Sequence, residues 1–128
     1  MSLSHAVVWI DHHHAQVLQF DPKHVESHKV DAHTHHTRQH GSTVRTEHEF
    51  FGEVCAALSG VAEVLATGPH TAQSDFRHYV EKHRPATSKQ IVGWETVDQP
   101  TDGQLLALAR KYFVKLDPKA GAPTATRS

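Results

Sequence analysis

Histidine is the residue type most able to do chemistry here. There are 14 in 128 residues, most of them before Glu49, including the run His12-His13-His14 and the set His33, His35, His36 and His40. Imidazole ligates zinc, nickel and copper, and a closed tetrahedral site needs three or four such ligands held in fixed geometry. His12, His14, His35 and His36 are the candidate ligands for a divalent transition metal. Adjacent imidazoles on one strand or loop point different ways, and no cysteine supports them at ligand spacing. Adventitious binding by a solvated loop is therefore the favoured alternative, and no resident cofactor is expected. Histidines also titrate near neutral pH, so the formal net charge of −1 becomes more positive as pH falls or a polyanion approaches. Cys55 falls on an apolar helix face, where a thiol is inert packing.

These side chains are carried by a recognisable succession of elements. His5 to Ile10 and Ala15 to Phe20 read as strands joined by the hairpin connection Asp11-His12-His13-His14. After the Asp21-Pro22 turn, Val25 to Val30 is a polar strand of the kind found at a sheet edge, and one place where a second copy or a protein partner could pair. Asp31 to Arg45 has no hydrophobic period and is expected to be an exposed, mobile loop. Thr46 with Glu49 suggests a capping box opening a helix whose core face is Phe51, Val54, Cys55 and Leu58. Val61 to Ala66 reads as a central strand covered from both sides. The Gly68-Pro69 turn follows, with Thr71 as the expected cap of a helix bearing Phe76, Tyr79, Val80 and His83 on one face. Arg84-Pro85 closes that helix, Gln90 to Val97 gives a fifth strand with Trp94, and Thr101 with Gln104 caps a last helix. From Asp117 on, a frayed tail is expected.

Composition narrows the classes. With 38% hydrophobic and 21% charged residues, the sequence suits one domain, residues 1–116, with its own core. No global positive field draws it onto nucleic acid, so any RNA contact must be local. One cysteine excludes an intrachain disulfide framework and fits a reducing compartment. No apolar run reaches membrane-span length and the N-terminus lacks a signal-peptide pattern, so a cytoplasmic location away from membranes is expected.

Thr67-Gly68-Pro69 followed by Asp75-Phe76 resembles the glycine-proline turn and aspartate-phenylalanine helix start in the middle domain of Pelota, the ribosome-rescue protein related to the class 1 release factors of eukaryotes and archaea. The whole sequence is similar to short bacterial proteins labelled translational machinery protein, which are grouped with that domain. The order of elements, β-β-β-α-β-α-β-α, agrees with the ribonuclease H-like α/β fold of that domain. The resemblance implies a mixed five-stranded sheet with the third strand at one edge and the fifth at the other.

That fold hosts metal-dependent nucleases, which need several carboxylates converging on hard cations. Asp11 ends the first strand, where the ribonuclease H family places an aspartate, but the fourth strand ends in Thr67-Gly68. Glu47, Glu49, Glu53 and Asp102 are the further acids that could help, but Glu49 and Asp102 fit helix-start caps and Glu53 a solvated face. A nucleic-acid hydrolase stays open as an alternative, as does a small protein-interaction module. The resemblance favours a noncatalytic factor whose partner is the ribosome or ribosomal RNA. Release factors carry a glycine-glycine-glutamine tip before the first helix of this domain. The present chain has Gln39-His40-Gly41-Ser42 there, closer to Pelota, which lacks the tip. The candidate RNA contacts are Arg38, His40 and Arg45 in the loop, His70 at the turn before the second helix, and Arg77 and Lys82 on that helix.

Overall fold

The strand β1 (His5–Ile10) is buried at every position. Its near-continuous apolar sequence suits a strand covered on both faces. Alternate side chains go opposite ways: Ala6, Val8 and Ile10 join one buried cluster, and Val7 and Trp9 another. In the computed structural model, which describes residues 4–32 and 42–116, β1 is the middle of a sheet ordered β3-β2-β1-β4-β5. β2 (His14–Phe20) runs antiparallel to β1, and β3 (Val25–Asp31) antiparallel to β2. β4 (Glu63–Gly68) and β5 (Ile91–Thr96) are parallel additions on the other side. This is the mixed five-stranded sheet, with the third strand at one edge and the fifth at the other, expected from the order of elements. β4 is an interior strand flanked by β1 and β5. β3 is the polar edge: apart from Val30 its residues are exposed.

Both hairpin turns are closed by an aspartate. Asp11 Oδ1 accepts from the backbone N–H groups of His13 and His14, each at 2.8 Å. Asp21 Oδ1 accepts likewise from Lys23 at 2.8 Å and His24 at 2.6 Å. Such Asx turns satisfy donors that the turn would otherwise leave unpaired. The Lys23 and His24 bonds also hold the Asp21 carboxyl below its ordinary range.

α1 (Ser42–Ala57) covers one face of the sheet with Phe50, Phe51, Val54 and Cys55. It begins upstream of the expected Thr46 cap, so Thr46 and Glu49 are interior helix positions rather than a capping box, and the expected loop ends before Arg45. The positive φ of 86° at Gly60 turns the chain toward β4. α2 (His70–His83) packs on the same face through Ala72, Phe76, Tyr79 and Val80. Its cap is the extended Pro69, not Thr71, which lies within the helix. A short α3 (Pro85–Gln90) follows, where the sequence pattern suggested only a break. Proline at the start of a helix needs no N–H partner, so the residue that closes α2 also opens α3. Gln90 Nε2 donates to the carbonyls of Leu58 and Val61, tying α3 to the exit of α1.

α4 (Asp102–Leu116) covers the opposite face with Leu105, Ala109 and Phe113 against Val7, Trp9, Leu18 and Phe20. Its capping box forms as the sequence implies: Thr101 N–H donates to Gln104 Oε1 at 2.9 Å, and Gln104 N–H to Thr101 Oγ1 at 3.1 Å. No described helix is long and apolar enough to cross a membrane.

Candidate nucleic-acid interface

The carboxyl ends of β1 and β4 are where a parallel α/β sheet most often places a ligand. Here they are closed tightly. Gly68 has φ 142°, and a Cβ on it would run into the Ile10 carbonyl oxygen, so only glycine lets the two strand ends approach this closely. Thr67 Oγ1 donates to the Val8 carbonyl at 2.8 Å. Gln73, reaching back from α2, donates from Nε2 to the carbonyls of Gly68 at 3.0 Å and Glu95 at 2.9 Å.

Asp11, the acid a hydrolase would use at this end, accepts the two turn N–H groups instead. Among the described residues no three His, Cys, Asp or Glu side chains come close enough together to hold a metal ion. Of the candidate ligands, His12 Nε2 lies 2.9 Å from Asp75 Oδ2 and His14 Nδ1 lies 3.5 Å from Asp11 Oδ1, so each faces a carboxylate. His35 and His36 lie outside the described residues. Asp102 opens α4, and its Oδ2 accepts from Gln16 Nε2 at 3.3 Å.

A second region forms at the surface where α1 meets α2. His48, Phe51, Asp75, His78, Tyr79, Lys82 and His83 line a cleft of about 290 Å³. Three of its rings form a mutual cluster. The centroid of His48 is 5.1 Å from that of Tyr79 and 5.1 Å from that of His83, and Tyr79 to His83 is 5.2 Å. Phe51 backs Tyr79 at 5.4 Å. Arg84 Nε donates to the Tyr79 hydroxyl at 3.4 Å, fixing the ring from the other end of the helix. Cys55, on the α1 face turned to the core, has its thiol pushed up by burial and takes no part in this surface.

Of the expected RNA contacts, Lys82 lines the cleft and His70 is exposed at the start of α2. Arg77 sits on a different flank: its guanidinium lies 5.4 Å from the centroid of the Trp94 ring, and its Nε is 3.2 Å from Glu81 Oε2. The structure therefore does not bring these three side chains together. Arg45 belongs to α1, with its side chain outside the described residues, and Arg38 and His40 also lie outside them. The sequence reading placed His83 on the apolar face of α2, but the side chain is exposed at the cleft. It also passed over His78. The signal was there in the spacing: Asp75, His78, Tyr79 and Lys82 recur every three or four residues, which makes one helix face both aromatic and charged.

No family model matches the sequence, and no curated protein matches it. Solved structures do. The crystal structure of Archaeoglobus fulgidus Pelota superposes with a TM-score of 0.65 at 18% identity, covering 91% of this chain and 33% of that one. The Thermoplasma acidophilum Pelota protein gives 0.60 at 16% identity, covering 89% and 32%. The archaeal translation termination factor aRF1 gives 0.59 at 16% identity, covering 83% and 33%. The chain thus spans about a third of the length of each of these proteins. What it shares with them is the fold: a mixed five-stranded sheet ordered β3-β2-β1-β4-β5, with helices packed on both faces.

Proposed function

We propose that this protein is a noncatalytic, ribosome- or RNA-associated factor of the translation machinery, working with the module that corresponds to the middle domain of Pelota and the release factors. The observation that carries the reading is the fold likeness, which takes in most of this chain in two Pelota proteins and a translation termination factor. Two features of the chain support it. The segment His33 to Arg45 supplies Arg38, His40 and Arg45 and lacks a glycine-glycine-glutamine tripeptide, which fits contact rather than peptide release. The α1–α2 cleft adds Lys82 and three imidazoles, groups that pair with phosphate and stack on bases. The same features fit the short bacterial proteins labelled translational machinery protein, with the cytoplasm as the place of action.

The test is co-sedimentation of the purified protein with ribosomes and separated subunits through sucrose at low and moderate salt, with a chelator present. Saturable binding that weakens when Arg38 and Arg45 become alanine is the expected result. Absence of binding at both salt concentrations overturns the ribosome as the partner.

A further inference from the structure

We propose that the α1–α2 cleft receives one unstacked nucleotide of an RNA strand, its base against the His48–Tyr79–His83 rings and its phosphate toward Lys82 and His78. This rests on the reading of the protein as RNA-associated and gives that reading a specific contact. The cleft volume of about 290 Å³ is at the lower end of small-ligand sites, roughly 300 Å³ and upward, and suits one nucleotide better than a folded element. Its surfaces are divided as such a ligand requires. Tyr79 is 8% exposed and forms the floor, backed by Phe51, while His48 and His83 are exposed at the walls. The three rings already pack on one another, with centroids 5.1 to 5.2 Å apart and planes tilted by 40 to 57°, so a flat base laid on the exposed imidazoles meets side chains already held in place and little ordering of the protein opposes binding.

The charges agree. Lys82 stands one helical turn beyond His78, so a phosphate between them meets an ammonium and an imidazole from the same face of α2. The one lining acid, Asp75, would repel that phosphate, but it lies at the far end of the cleft face, a turn before His78. There His12 from the β1–β2 turn approaches it at 2.9 Å. Bases splayed out of single-stranded RNA are recognised in this manner, by stacking with a cationic grip on the backbone.

The experiment is a titration of the histidine ring NMR signals of the full chain with hexaadenylate RNA, with an abasic hexamer of the same ribose-phosphate backbone, and with adenosine monophosphate. Hexaadenylate is expected to shift the His48 and His83 rings. The abasic strand is expected to bind about tenfold more weakly, the loss of one stacked base. A His48→Ala/His83→Ala variant, shown folded by circular dichroism, is expected to lose about the same factor for hexaadenylate and nothing for the abasic strand.

Equal affinity for the two hexamers, or an unchanged affinity in the variant, overturns the inference. Adenosine monophosphate binding as tightly as the hexamer overturns the strand as the source of the nucleotide. Ribosome sedimentation run alongside separates the two claims. Ribosome binding with no discrimination between hexamers sinks the cleft and leaves the proposed function, whereas base-dependent hexamer binding without ribosome binding keeps the cleft and removes the ribosome as the partner.

Discussion

The strand ends around Gly68 and the cleft between α1 and α2 are both built on α2, yet they use polar side chains in opposite ways. At the strand ends Asp11, Thr67 and Gln73 are spent on backbone groups of their own chain. In the cleft His48, His78 and Lys82 face outward around a space large enough for a ligand. Polar groups that close backbone bonds make a fold specific, and polar groups left at an open, ring-lined surface are the ones a partner can reach. The strand ends are thus closed on themselves, and the described polar side chains that face an open cleft lie along α1 and α2.

Substitutions can break that comparison at its strongest point. Gly68→Ala forces Ile10 and the β4 end apart and is expected to cost about 3 kcal/mol or more, read from the urea midpoint. Gln73→Ala leaves the Gly68 and Glu95 carbonyls without their donor. A loss of about 2 kcal/mol in the same denaturation experiment is expected. Asp11→Ala opens one Asx turn and should cost roughly 1 kcal/mol. A cleft variant, His48→Ala with His83→Ala, is expected to change stability by no more than about 0.5 kcal/mol per site while weakening RNA binding. A large stability loss there with unchanged binding would reverse the assignment of the two regions.

The smallest effect concerns the second Asx turn. Because the folded Asp21 carboxyl titrates below its ordinary value, its stabilisation is present above that value, about pH 4, and is lost as pH falls through the folded one. Asp21→Asn should therefore lower stability at pH 6, and the gap to the unsubstituted protein should shrink at pH 3.

Much of the scaffold was legible because its signals are local or periodic. The continuous apolar run in β1, the polar run in β3 and the Thr101–Gln104 box each specify one arrangement, and each forms. The start of α1 was misread because Thr46-x-x-Glu49 satisfies the capping pattern equally well inside a helix, where no rule of spacing reveals what lies upstream. α3 was missed because six residues are too few to show a helical period, and Pro85 signals an ending as readily as a beginning. The cleft was only partly visible. Lys82 was named for charge, whereas the ring cluster depends on α1 and α2 crossing so that His48 meets Tyr79 and His83. That is a tertiary fact with no trace in either segment alone.

The edge strand β3 has a mechanical consequence. It is held in the sheet by a single ladder, to β2, and from its end the chain passes into the segment that leads to α1. A pull on that segment loads the ladder from one end, so its bonds part in sequence like a zip, whereas the inner strands share any load across two neighbours. β3 therefore parts from the sheet under a smaller end load than β2, β1 or β4, each of which lies between two neighbours.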